Sequence, residues 1–260
     1  MKFVKSKFVI KKNRIFAFLS ILLLSCFCLS CSAELEIKAF DDKSADINFN
    51  FDVGEQLYKT IQNMTFGISQ MNENIKSSEE ISFFNEAEIY QIFEGSDFQN
   101  VKLAIPSKRE LKLSAKIPSP ENQRAVNEGS VLKIANFVTC TKNSLTVLIS
   151  PENVQEIVAS LPEETKSYLD LLMAPILGSA DMSGQDYKDL ISLVYGDDLA
   201  KVLSDASVKV SLFAPGGKII KRASLSNTEQ SKTSASKAVF SVPLIDFLTL
   251  QSPKTFSISW

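Results

Sequence analysis

Four cysteines, 30 acidic residues and no histidine bound the chemistry open to this 260-residue chain. Without an imidazole, the Ser-His-Asp and Cys-His nucleophile systems in their usual form are excluded. So are histidine-containing zinc sites and the side chain most often used as a general base near neutral pH. Cys140 stands between Thr139 and Thr141 with no basic neighbour in sequence to lower its pKa, which predicts a buried, inert thiol. Gly178-Ser179 and Ser183-Gly184 do not complete a G-x-S-x-G elbow. Asp41, Asp42 and Asp46 bring carboxylates together as a hard cation requires, but their spacing is not that of a calcium loop, and a solvated hairpin turn is expected. Asp197-Asp198 reads as an N-cap followed by a first-turn acid. No catalytic residue, metal ligand or cofactor is expected, and the chain reads as non-enzymatic.

The remaining cysteines sit where a different reaction is expected. Lys2, Lys5, Lys7, Lys11, Lys12 and Arg14 precede an apolar run from Ile15 to Leu24 that only Ser20 interrupts, the layout of a signal peptide. The run is shorter than the roughly 18 to 20 residues that a spanning helix needs. Leu23-Leu24-Ser25-Cys26 resembles the bacterial lipobox, in which a small residue precedes a cysteine that receives diacylglyceryl and becomes the first residue of the mature chain. Cys31, after Ser30, is the alternative, in a looser pattern similar to that of spirochaete lipoproteins. Each buried methylene of an acyl chain contributes about 0.8 kcal/mol, and two or more chains hold a protein stably on a membrane.

Residues 1–25 carry six of the 28 basic residues and none of the acidic ones, so their removal leaves 22 basic against 30 acidic, near −8. An acidic body argues against nucleic acid as a partner, because phosphate binding relies on clustered Lys and Arg. About 230 residues of ordinary apolar content can bury a core without a metal or disulfide. Lys108, Arg109, Lys112 and Lys116, and later Lys218, Lys221 and Arg222, form basic stretches expected to be solvent-facing strands that resist edge-to-edge aggregation.

Residue periodicity supplies the elements that must position these groups. Leu35, Ile37 and Ala39, then Ala45, Ile47, Phe49, Phe51 and Val53, alternate with polar residues around Asp41–Ser44, predicting a hairpin with one wet face. From Leu57 the spacing turns helical through Ile61, Met64, Ile68 and Met71, with a shorter helix over Phe84–Phe93 closed near Gly95. Strands follow over 101–105 and 111–117. Pro118–Ser130 is the expected linker between a unit at 33–117 and a second at 131–260. The second opens with a hairpin over 131–149, and Ser150-Pro151 then caps a helix. Further helices are expected at 162–173, 185–195 and 199–204. Strands at 208–212 and 219–225, the second returning along the first, lead to an exposed loop at 226–237, a strand at 239–242 and a last strand ending at Trp260. Alternation of Phe256, Ile258 and Trp260 is similar to the terminal strand of an outer-membrane barrel, but the helical block breaks that pattern, and a core strand is expected. The fold class is therefore α+β: antiparallel sheets built from β-hairpins with amphipathic helices packed on one face, with an arrangement as two hairpin-helix units open.

As a whole the chain resembles uncharacterised, treponeme-like spirochaete lipoproteins, most in Leu171-Leu172-Met173-Ala174-Pro175, in Tyr187 through Val194-Tyr195-Gly196, and in Pro243 to Leu250. In layout its amino-terminal unit is also similar to LppM-type lipoproteins, for which lipid handling has been proposed. These resemblances imply a protein of the cell envelope, lipid-anchored to the inner or outer membrane and facing periplasm or cell surface. The expected partners are membrane lipid, through the acyl anchor, and an envelope protein or lipid. A scaffold or interaction module is the expected function, with lipid binding or transfer on the apolar face of Leu57–Met71 the alternative and a hydrolase third.

Overall fold

The computed structural model describes residues 32–71, 84–94, 96–122, 137–160, 166, 174–177, 181–226, 228–229 and 234–260. The first hairpin forms as its alternation requires: β1 (Ser32–Ala39) pairs antiparallel with β2 (Ala45–Asp52), Ile37 opposite Ile47 and Leu35 opposite Phe49. In the turn between them Lys43 takes φ 66° and the Phe40 N–H donates to the Ser44 carbonyl at 2.9 Å. Then come α1 (Glu55–Met71) and α2 (Glu86–Phe93). The Asn85 side chain caps α2 by accepting from the Ala87 N–H at 3.1 Å; Gly95, expected at its other end, lies outside the described residues. A second hairpin, β3 (Gln99–Ser107) and β4 (Glu110–Ile117), adds to β2 through β4.

Beyond a single 3-10 turn at Pro120–Asn122, the expected linker and the start of the third hairpin lie outside the described residues. That hairpin is β5 (Val138–Cys140) and β6 (Ser144–Ile149). Ser150 then begins α3 (Pro151–Ser160) with a reciprocal cap: its N–H donates to Asn153 Oδ1 at 2.8 Å, and the Asn153 N–H donates to Ser150 Oγ at 3.3 Å. The helix expected at 162–173 lies outside the described residues except for Lys166, which is helical. α4 (Gly184–Tyr195) and α5 (Asp197–Asp205) follow, then β7 (Ser207–Phe213), β8 (Arg222–Leu225), β9 (Thr228–Glu229), β10 (Lys237–Pro243), α6 (Leu244–Leu248) and β11 (Lys254–Ser259).

The strands form two sheets, ordered β10-β7-β1-β2-β4-β3 and β5-β6-β11-β8-β9. Their apolar sides face one another. Ile37, Ile47, Val210, Leu212 and Phe240 of the first pack with Leu145, Val147, Ala223, Phe256 and Ile258 of the second in one buried cluster. The fold is α+β and mostly antiparallel, with one parallel pair: β7 lies beside β1, Ile37 level with Leu212, so the larger sheet draws strands from both sides of 118–130. The expected return of 219–225 along β7 does not occur. After Pro215 and Gly217 (φ 80°) the chain crosses to the smaller sheet, where Ala223 and Leu225 pair with Ile258 and Phe256. Phe256 and Ile258 do form a buried core strand, between β6 and β8.

A second buried cluster belongs to the helices, with Leu57 and Ile61 of α1, Tyr187 and Ile191 of α4, and Leu199, Val202 and Leu203 of α5. Val53 and Ala206, which adjoin β2 and β7, belong to it too, with Leu250 just after α6, so this layer closes one end of the sandwich. Asp197 does not cap α5 as expected. The position is held by Gly196 at φ 91°, ψ 162°, whose N–H also closes α4 on the Ser192 carbonyl. Asp197 accepts instead from the Ser192 hydroxyl. An L side chain is strained in that region of backbone space by about 1–3 kcal/mol. A Cβ at Gly196 would meet nothing within 4 Å, so the penalty of Gly196→Ala is conformational alone. Urea denaturation should show the Gly196→Ala variant destabilised by about 1–3 kcal/mol with an unchanged m-value; equal stability would mean that the α4–α5 joint does not need this conformation.

Candidate functional site

Alternation that buries one side of the larger sheet leaves the other side polar and open. In register, Lys38, Asp46 and Lys116 form one row across β1, β2 and β4; Glu36, Asn48 and Ser114 form the next, and Glu34, Asn50 and Lys112 a third. On the β7 side the charges pair across strands. Lys209 Nζ lies 2.7 Å from Glu34 Oε1, and Lys237 Nζ lies 3.6 Å from Glu36 Oε1. Exposed pairs of this kind contribute about 0–1 kcal/mol each, so they shape the face more than they stabilise it.

On the other side of β2 the face dips into an open depression of about 170 Å³, lined by Asn48, Asn50, Lys102, Lys112 and Ser114, with Leu103, Ala104 and Leu113 beside them. Among the described residues Lys102 and Lys112 make no ion pair, unlike Lys209 and Lys237. Two ammonium groups, two carboxamides and a hydroxyl make a surface richer in donors than acceptors, suited to carboxylate, phosphate or carbonyl oxygens. No nucleophile paired with a base stands among them. The edge strand β3 slips register on both sides of Lys102–Ala104, Asn100 takes φ 53°, and Pro106 lies within it. Bulges and a proline protect an edge from pairing with another chain. The basic residues expected to guard an edge are placed differently: Lys112 and Lys116 lie on β4, an interior strand, and point off its face. Lys108 and Arg109 form the β3–β4 turn, with Arg109 Nε 3.9 Å from Asp52 Oδ1.

The three aspartates of the first turn are divided among separate tasks. Asp41 Oδ1 lies 2.7 Å from Lys218 Nζ. Asp42 Oδ1 accepts the Ser44 N–H at 3.0 Å, and the hydroxyl and N–H of Ser44 hold its carboxyl below the usual range. Asp46 lies in register between Lys38 and Lys116. Among the described residues no group of three or more candidate ligands could hold a metal ion. Lys218 also stands over the Trp260 ring at 5.8 Å, and the Trp260 indole N–H donates to the Lys142 carbonyl at 3.1 Å. Lys221 and Arg222 are exposed beside it. Cys140 is half-buried nearby, and its thiol is pushed up to about 11, chiefly by burial and secondarily by Asp42, with Lys218 opposing.

Ser183 is engaged in capping α4: its Oγ accepts the Asp186 N–H at 3.2 Å. Gly178-Ser179, Cys26 and Cys31 lie outside the described residues, as do the side chains of Met64, Ile68 and Met71. Leu57 and Ile61, from the same apolar stripe, are buried against the protein's own α4 and α5. Among the described residues no helix is long and apolar enough to cross a membrane.

No family model matches the chain, and no curated protein matches it. Among solved structures it is similar to the folded domain of the Mycobacterium tuberculosis LppM protein, determined by NMR, with a TM-score of 0.34 and 6% identity over 89% of this chain and 90% of that one. The LppM-type likeness is therefore faint.

The Cys140 environment has a measurable consequence. A thiol whose folded-state pKa is raised favours the neutral form, so its contribution to stability is intact below pH 9.0 and is lost between 9.0 and about 11. Alkylation of the Cys140 peptide in the folded protein, followed by mass spectrometry, should keep accelerating up to pH about 11. A plateau near pH 9.0, the ordinary thiol value, would show that burial does not control it.

Proposed function

We propose that this chain is an envelope lipoprotein, held on a membrane through a lipidated Cys26 or Cys31, whose folded body is a non-enzymatic interaction module. The observation that carries this reading is the junction between the two candidate cysteines and the fold. Ser32, immediately after Cys31, opens β1, a central strand of the larger sheet. The signal-like segment, the small residue before each cysteine and the start of the sheet are consecutive in the chain.

The surface best suited to a partner is the outer face of the larger sheet around Asn48, Asn50, Lys102, Lys112 and Ser114. Its polar side chains are free of any core duty, and recognition needs only placed donors and acceptors. An enzymatic role has less support, because the chain lacks histidine and the Cys140 thiol is shifted away from reactivity. Lipid carriage on α1 is also the weaker reading, since Leu57 and Ile61 are only 4% and 3% exposed and already serve the helical core.

Labelling cells with an alkyne analogue of palmitate should mark the protein, and either Cys26→Ser or Cys31→Ser should abolish the label and release the chain from the membrane fraction. Unlabelled wild-type protein would end the lipoprotein reading. For the sheet face, a photo-crosslinking residue in place of Asn50 should give a discrete adduct in intact envelopes. Combining Lys102→Glu with Lys112→Glu should remove that adduct while leaving the urea midpoint unchanged. Persistence of the adduct in the double variant would place the contact elsewhere.

A further inference from the structure

The helical layer closes the same end of the sandwich from which the chain runs toward its candidate lipid sites. In the sheet register Ser32 is level with Asp52 and Ser207, and the adjoining Val53 and Ala206 belong to the helical core. The opposite end is built of turns, where Asp41 meets Lys218 and Trp260 meets Lys142. Cys31 is one residue from Ser32 and Cys26 is six, so a lipid on either keeps Ser32, at this end, within about 20 Å of the acylated residue, at 3.3–3.6 Å per extended residue.

On that layer α4 carries two large apolar side chains in water, Leu193 at 85% exposure and Val194 at 48%. Inward it buries Tyr187 and Ile191. Leu193 lies about 200° around the helix from Ile191, so it projects from the side turned away from the helical core. Val194 shares the stripe of Tyr187 and lies in the last turn before Gly196, yet it is half exposed. Single exposed apolar residues are ordinary on protein surfaces. An adjacent pair on the layer nearest a membrane anchor has a solvent other than water within reach.

We infer that the Leu193–Val194 ridge is a second, apolar contact with the bilayer that holds the lipidated cysteine, orienting the body helical end down. The inference rests on the lipoprotein reading. Along these helices Lys188 and Lys201 are outnumbered by Asp186, Asp189, Asp197, Asp198 and Asp205, so charge does not draw the ridge to anionic headgroups, and its occupant is the apolar boundary of the membrane. Two side chains would not retain a free domain on lipid. On a tethered chain the effective concentration of bilayer is already high, and a weak contact suffices to set orientation. With this end down the strands stand up from the membrane, and the polar sheet face looks sideways, open to a partner.

The full mature protein, reconstituted in phosphatidylcholine vesicles with p-benzoylphenylalanine in place of Leu193, tests this by mass analysis of the photo-adducts. The same residue in place of Ile219, exposed near the turn end, is the control. A phosphatidylcholine adduct at 193 and its loss at 219 is the expected result. Vesicles that carry the acylated protein but give no lipid adduct at 193 beyond that at 219 would overturn the inference and leave the anchor intact. An adduct joining 193 to a second copy of the chain would also overturn it, in favour of self-association. Intact mass without an acyl group would overturn both the anchor and the ridge contact. Leu193 is exposed enough that the replacement should not disturb folding, which the urea midpoint verifies.

Discussion

The parallel pairing of β1 with β7 is the contact on which the rest of the architecture depends. β1 is the first described strand, yet it holds β2 on one side and β7 on the other, with its parallel neighbour Leu212 lying 175 positions after Ile37. A parallel pair cannot be joined by a tight turn; its connection here carries the β3–β4 hairpin, the smaller sheet's β5 and β6, and α1 to α5. Register matters as much as proximity. A slip of one residue in β1 would turn Ile37 and Ala39, both fully buried, to the wet side and bring Glu36 and Lys38 into the core. Such long-range pairing is slow to form, because the closure entropy precedes the contacts that reward it.

Two buried clusters share the work of stability. Between the sheets, Phe240 and Phe256 meet edge to face at 5.6 Å, inside a layer otherwise dominated by aliphatic side chains. Tyr187 is fully buried in the helical cluster, and burial pushes its hydroxyl far above the ordinary value for a phenol. Ile149, at the end of β6, touches both clusters. The helices thus cap the open end of a sandwich whose inner apolar residues would otherwise meet water there. The Ser150–Asn153 cap starts α3 at that same boundary.

Much of this was legible in residue spacing. Alternation in 35–53 and 111–117, the helical period from Leu57 and the Ser150-Pro151 start each appear in the structure where the sequence places them. Partner choice was not legible, since alternation tells which side chains share a face and not which strand lies alongside. The stretch at 219–225 was expected beside β7 because it follows a turn, but Ala223 and Leu225 find their apolar neighbours on β11. A helix was legible at 185–195, but not that Val194, on the same side as the buried Tyr187, would stand 48% exposed. The polar depression had no local signal at all: Asn48, Lys102 and Ser114 become neighbours only once three strands are in register. Nor could spacing show that Gly196 would serve two helices, for its role lies in a backbone angle.

The outer sheet face has a consequence for how such proteins diverge. Its side chains stand on strands whose opposite faces hold the core together, so packing constrains every second residue and leaves the intervening ones unconstrained by the fold. Asn48, Asn50, Lys112 and Ser114 could each be exchanged without disturbing Ile47, Phe49, Leu113 or Ala115 behind them. One body can therefore change its outer face while its interior stays the same. In a lineage under pressure to alter its surface, half of each strand would drift quickly, and overall sequence similarity would fade long before the architecture did.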